Sequence, residues 1–172
     1  MKFVFCDLET TGLDPQKCCI LEIGVKIIEP VSINTITEYT SVVRPVLGWA
    51  EHAESVAMDM HQKSGLIEKA ARSPRHLEQV QDQVLEMLPD GEDLYLAGNS
   101  VHFDRSFLAV HMPIFLSKLH HRQLDVTSLR LGIWASMGQD PLTWKKERRH
   151  TAMEDLEETM KEFKHYVQNN LS

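Results

Sequence analysis

Lys2-Phe3-Val4-Phe5-Cys6-Asp7-Leu8-Glu9-Thr10-Thr11-Gly12 begins as a short apolar run and then turns abruptly acidic. Residues 2–6, rich in Phe and Val, predict a first strand. Side chains alternate along extended chain, so Asp7 and Glu9 project to one side while Leu8 faces the core. Two carboxylates emerging together from an apolar strand repel each other unless a cation or a donor offsets their charge. Gly12-Leu13-Asp14-Pro15 then marks a turn.

Outward from this segment, residues 19–28 and 33–43, rich in Ile, Val and Thr, predict two further strands joined by a turn at residues 30–34. The opening therefore reads as an antiparallel meander. Residues 51–68 predict a helical region, broken near Lys63-Ser64-Gly65. Ser73-Pro74 predicts the start of a second helix, with an apolar stripe of Leu77, Val80, Val84, Leu85 and Leu88. Residues 94–97 and 123–126 predict a fourth and a fifth strand. Helices are expected at residues 103–111, stopping before Pro113, at 127–134 and at 152–168. A meander followed by alternating helices and strands predicts an α/β domain, with a mixed five-stranded sheet flanked by helices, over residues 1–172.

Composition narrows the function classes. Apolar residues at 42% and charged residues at 25% are ordinary globular usage, which excludes disordered and collagen-like chains. Three cysteines, two of them adjacent (Cys18 and Cys19), with no Cys-x-x-Cys pair, offer no zinc spacing and fit a reducing cytoplasm. The first apolar run is too short for a signal peptide, and no stretch approaches the ~20 apolar residues of a membrane span. The net charge of −7 disfavours an electrostatic grip on long duplex nucleic acid, since phosphate contacts need a basic face. A short anion held by a few placed groups remains open.

Two later segments carry chemistry. Gly98-Asn99-Ser100-Val101-His102-Phe103-Asp104 leaves a predicted strand and opens a helix, where α/β proteins commonly bind ligands. Asp104 can serve there as a helix N-cap or as a metal ligand. In His150-Thr151-Ala152-Met153-Glu154-Asp155, the Thr151–Glu154 spacing forms a capping box and starts a helix. His150 then stands just outside that helix. Asp155 lies one turn in, where the helix dipole favours its ionised form, and Glu154 is better explained as a cap than as a ligand.

Asp-x-Glu-Thr-Thr-Gly, Asn-x-x-x-Phe-Asp and His-x-Ala-x-x-Asp, in this chain order, resemble the three signatures of the histidine-bearing branch of the DEDD exonuclease superfamily. The resemblance implies a ribonuclease H-like fold and 3′→5′ exonuclease activity. It implies that Asp7, Glu9, Asp104 and Asp155 hold metal, and that His150 is the general base. Small residues after Glu9 are then expected where backbone must approach a nucleotide. An all-carboxylate set suits two divalent cations, Mg²⁺ or Mn²⁺, rather than zinc. Two such ions ~4 Å apart stabilise the attacking and leaving oxygens of a phosphodiester. A histidine with a pKa near ~6.5 can accept a proton from the attacking water at neutral pH.

Along nearly its whole length the chain is similar to the oligoribonuclease family. The matching runs are residues 7–15, Leu21-Glu22-Ile23, Ser64-Gly65-Leu66, Gly98-Asn99-Ser100, Asp104-Arg105-x-Phe107-Leu108, Met112-Pro113 and Leu124-Asp125-Val126-Thr127. That resemblance implies a homodimer acting on very short single-stranded RNA, chiefly dinucleotides, and releasing mononucleotides. It implies that Leu13 wedges between two bases and that His61, Ser100 and Arg122 surround the 5′ phosphate. Asn99, in the second signature, joins the substrate-binding set. The family has a tyrosine in a His-Tyr-Arg run that one subunit offers to its partner's site. This chain has His120-His121-Arg122, so His121 stands in that place with a smaller, titratable ring.

Two other readings are weighed against this one. A single-stranded DNA exonuclease or proofreading subunit would share the signatures, but the acidic charge and the later runs argue against it. A non-cleaving nucleotide-binding module would be expected to lack some of the acids, and all are present. The run Lys145-Lys146-Glu147-Arg148-Arg149 reads as a solvated loop with local steering of nucleotides.

Overall fold

The computed structural model describes residues 1–142 and 151–170. Its centre is a five-stranded sheet of order β3-β2-β1-β4-β5. The strands are β1 (Lys2–Thr10), β2 (Ile20–Ile28), β3 (Thr35–Val42), β4 (Leu94–Gly98) and β5 (Gln123–Asp125). The first three form the expected antiparallel meander, and β4 and β5 add in parallel beside β1. The ribonuclease H-like arrangement of a mixed sheet flanked by helices is therefore present.

The helices are α1 (Ser55–Ser64), α2 (Leu66–Arg72), α3 (Leu77–Glu86), α4 (His102–His111), α5 (Pro113–Ser117), α6 (Val126–Met137) and α7 (Ala152–Asn170). One core joins Ile23, Val25 and Ile27 of β2 to Val80, Val84, Phe107 and Phe115. The opposite core joins Phe5 and Ile28 to Val126 of α6 and to Leu156, Phe163 and Tyr166 of α7. Apolar side chains on both sides of the sheet explain why β1 and β2 read as nearly continuous hydrophobic runs.

Several boundaries differ from expectation, each for a local reason. β1 continues past Cys6 to Thr10, because antiparallel pairing with β2 extends through Glu9 ↔ Glu22. The expected break near Gly65 is real: Gly65 has φ 74° and ends α1 in the left-handed conformation that a residue without Cβ adopts at no steric cost. Ser73-Pro74 does not start a helix. The Ser73 hydroxyl donates to the Val42 carbonyl (2.7 Å) and accepts from the Arg75 N–H, closing a turn after α2. α3 starts at Leu77 instead, under a capping box between His76 and Gln79. Pro113 both ends α4 and opens α5, a short helix the sequence pattern does not foresee.

Candidate active site

β1 carries Asp7 and Glu9 on one side of the sheet, at the end where β4 no longer accompanies it; the β1–β4 pairing stops at Phe5 ↔ Ala97. Parallel neighbours that diverge leave a crevice at their carboxyl ends, where open α/β sheets bind ligands. Across the ladder, Asp7 faces Gly24 and Glu9 faces Glu22. Residues directly opposite in a pair share a face. Glu22, Gly24 and Lys26 thus form a non-apolar row on that face of β2, and α7 lies against it.

Each member of this row holds α7 in a different way. A Cβ on Gly24 would stand 2.9 Å from Leu156 Cδ1 and 3.0 Å from the Ala152 carbonyl carbon, so only glycine admits the helix this close. The Glu22 carboxylate accepts from the Ala152 N–H (3.1 Å), one of the donors that a helix start leaves unsatisfied. Lys26 is buried and pairs with Glu157 of α7 (3.2 Å) and Glu38 of β3 (3.0 Å). Thr151 stands just before α7, its hydroxyl donating to the Glu154 carboxylate (2.7 Å), a bond between the two side chains.

The outcome is that Asp155, in the first turn of α7, reaches the β1 carboxylates. Among the described residues, Asp7, Glu9 and Asp155 each offer an oxygen within 4.8 Å of the others. Burial first, then the charges of Asp7, Asp155 and Glu22, push the Glu9 carboxyl up to about 8. Burial also raises Glu22. Carboxylates that resist ionisation alone, yet converge as an all-oxygen donor set, fit a hard divalent cation, whose charge reverses that resistance.

Asp104 is not a member of the three-carboxylate group. It sits in the first turn of α4, nearly buried, and its Oδ1 accepts from the Leu8 N–H at 3.0 Å. It is therefore not the N-cap of α4, which begins at His102. Past Phe5, β4 no longer pairs with β1, and Asp104 supplies an acceptor there. Burial, then the Asp7 charge, raises its carboxyl well above the usual range against the opposing Leu8 N–H bond. It is coupled to the cluster by charge and braces the backbone between Asp7 and Glu9. His150 and the run at residues 145–149 lie outside the described residues.

The residues expected around the substrate divide sharply. Leu13 is 71% exposed on the turn after β1, with its N–H held by Glu54 (2.9 Å). His61 is fully buried: Nε2 donates to the Thr10 carbonyl (2.8 Å) and lies 3.8 Å from a Glu9 oxygen, so this ring stands under the carboxylate strand rather than at an open rim. Asn99 is also turned inward. Its amide donates to Thr159 (2.8 Å) and Glu162 (3.4 Å) of α7 and its oxygen accepts from Thr127 of α6. Asn99 thereby ties β4 to both helices, a role the motif alone does not reveal. Ser100 is exposed, at φ 51°, with its N–H on the Thr127 hydroxyl (3.1 Å). His121 and Arg122 are exposed. The rings of Tyr95, His120 and His121 succeed one another at 4.6 and 4.2 Å, and the Arg122 N–H donates to His120 Nδ1.

The small residues after Glu9 have an internal use. Thr11 is fully buried, its hydroxyl accepts from the Cys19 N–H (3.0 Å), and the Thr10 hydroxyl donates to the Gly12 carbonyl (2.8 Å). They close the turn. Glu22, Gly24 and Lys26 were the positioning residues missed from the sequence. Their spacing of two within β2, the only polar or small positions among apolar ones, is the signal that finds them.

The chain is similar to known exonucleases. The Exonuclease (RNase T) family matches residues 4–163. The chain is 32% identical to an oligoribonuclease of Ectopseudomonas mendocina over 180 residues, covering 98% of this chain and 95% of that one. It is 34% identical to a probable oligoribonuclease of Dictyostelium discoideum over 177 residues, covering 96% and 88%. Among solved structures, E. coli exonuclease I in complex with a 5cy-dA13 oligonucleotide superposes with a TM-score of 0.75 at 14% identity, over 99% of this chain. The chain spans only 41% of that larger protein, so this likeness speaks for the shared fold.

Proposed function

The chain belongs to the exonuclease family, and within it to the oligoribonucleases; from that premise we propose that it removes nucleotides from the 3′ end of very short RNAs, dinucleotides among them, releasing nucleoside 5′-monophosphates. The observation that carries the reading is the meeting of Asp7, Glu9 and Asp155 oxygens within 4.8 Å at the open end of β1. Those three residues, with Asp104 beside them, would hold two divalent cations, Mg²⁺ or Mn²⁺. Bound there, the cations would lower the charge barrier at a phosphodiester and favour ionised water as nucleophile.

The remaining steps fall to the chain's own groups. Asp104 keeps the Leu8 amide, and so the span from Asp7 to Glu9, in place. Glu22 and Gly24 keep Asp155 opposite them. His150, by its position in the third signature, would take the proton of the attacking water. Leu13, exposed and apolar, offers a surface for a base face. His121 and Arg122, outermost in the ring row that begins at Tyr95, would serve a partner's site in a homodimer. His121 in place of tyrosine then weakens the preference for dinucleotides and makes it pH-dependent. The enzyme would work in the cytoplasm, in keeping with three free cysteines. Among the described residues no helix is long and apolar enough to cross a membrane.

The test is a product time course on RNAs of two to ten nucleotides, with a single-stranded DNA 20-mer alongside, in Mg²⁺ or Mn²⁺. The expected result is stepwise release of mononucleotides with the dinucleotide consumed to completion. Accumulation of dinucleotides, or faster loss of the DNA, would replace this reading with the longer-substrate or DNA alternative.

A further inference from the structure

A cavity of about 700 Å³ opens on the same face of the sheet as the carboxylates, against α2 and the end of β3. Its inner wall is Glu22, and its outer wall carries Lys69, Arg72 and Arg75 together with one acid, Glu68. The ladder fixes its distance from the centre. Asp7 pairs with Gly24, which pairs with Thr40 of the cavity wall, and Glu9 pairs with Glu22, which pairs with Val42. Two strand spacings separate the metal carboxylates from that wall, roughly 10 Å.

The three cations are set up in two independent ways. Leu66 and Ala70 of α2 are buried against Leu21, which turns the exposed Lys69 and Arg72, three apart on one helix face, toward the cavity. The C-terminal dipole of α2 accounts for cations at these two positions by itself. It does not account for Arg75, which lies beyond the helix. The Arg75 backbone is pinned at both ends: its N–H donates to Ser73 Oγ (3.2 Å) and its carbonyl accepts from the Arg44 N–H (2.8 Å). In a chain of net charge −7, three cations against the two acids Glu22 and Glu68 leave this concavity with a small cationic excess beside an acidic centre.

We infer that this cavity is a phosphate-binding groove that takes the backbone of an RNA strand beyond the two nucleotides at the carboxylate centre. The inference rests on the exonuclease reading above and extends it: the groove sets how well substrates longer than a dinucleotide bind. A dinucleotide has one internucleotide phosphate, which the carboxylate centre takes, and so none to place in the groove. Longer strands gain phosphate contacts, each releasing counterions, so their affinity falls with salt more steeply than that of a dinucleotide.

The test compares the full chain with the triple variant Lys69→Gln, Arg72→Gln, Arg75→Gln and a charge-keeping Arg72→Lys, Arg75→Lys pair. KM and kcat are measured on a dinucleotide and a heptamer, and heptamer binding in EDTA is followed by anisotropy from 50 to 200 mM salt. In the triple variant the heptamer KM should rise about tenfold and the slope of log affinity on log salt should shrink by roughly 2, at ~0.7 per single-strand phosphate contact. Dinucleotide kinetics should stay within about twofold, and the lysine pair should keep most of the salt slope, since lysine also binds phosphate as a point charge. Equal changes for both substrates, or no change in either, would overturn the groove. If the unaltered chain cleaves no RNA, the proposed function fails. The binding arm then judges the groove alone, and unchanged heptamer affinity in the triple variant rejects it.

Discussion

The carboxylate centre and the residues expected to meet substrate are built on opposite plans. Asp7, Glu9 and Asp155 meet because β1 and α7 are both fastened to β2, through a bond from Ala152 to Glu22, a clearance at Gly24 and ion pairs at Lys26. Of these, Leu13, Ser100, His121 and Arg122 stand exposed, while His61 and Asn99 are drawn inward to serve the framework. The centre is held by the chain's own packing; the exposed set is not. Damage to the centre should therefore abolish turnover, and damage to the exposed set should alter which substrate is preferred.

The severest way to break this contrast is at the acids. Glu9→Gln or Asp155→Asn should lower kcat more than about a hundredfold, beyond the 10–100-fold typical of residues that only support a metal ligand. Either variant should retain its fold by circular dichroism. A Gly24→Val chain tests the framework without touching a ligand. It should lose about 1–3 kcal/mol of stability through overpacking. It should also lose about tenfold in turnover as Asp155 is displaced, since small misplacements are costly in catalysis. Unchanged kcat in a folded Gly24→Val protein would detach Asp155 from the packing argument.

The electrostatics of the centre give a third expectation. Glu9 titrates in the folded chain at about 8, above its ordinary 4.5. Between these values the folded state holds a proton that the unfolded state has released, so metal-free stability falls as pH rises from about 5 to 8. The buried Asp104 and the half-buried Glu22 shift in the same direction and add to the slope. Tm in EDTA should drop by at least ~2 °C across that window. Glu9→Gln should flatten the decline, and Mn²⁺ should stabilise more at pH 8 than at pH 5, as measured by calorimetry. The smallest effect belongs to the exposed set. His121→Tyr should lower the dinucleotide KM by about threefold, part of the ~1–3 kcal/mol of a base–aromatic stack, with kcat unchanged.

The same division governs what could be read from residues alone. The meander, the strand order of the acids and the start of α7 follow from local rules: alternation in β2, a turn at Gly12, Thr151 and Glu154 at cap spacing. The acids were legible because their motifs lie within single segments. His61 and Asn99 were not, because their partners Thr10 and Thr159 lie 51 and 60 residues away in the chain. The sequence leaves Asp104 as ligand or cap, and its bond to the Leu8 amide depends on where β4 stops accompanying β1, which no local pattern encodes. Ser73-Pro74 misled for the mirror reason: a strong local helix-start signal was overruled by a bond to β3.

Gly24 leads to a consequence of another kind. In a machine, the space between two seated parts is a tolerance, and a shim placed there moves everything bolted above it. One hydrogen in place of a methyl group is that space here, between β2 and the first turn of α7. Any mutational route that fills it must carry Asp155 outward in the same step. Gly24 is thus the position from which a nuclease of this kind could be detuned by degrees, with every one of its acids still present.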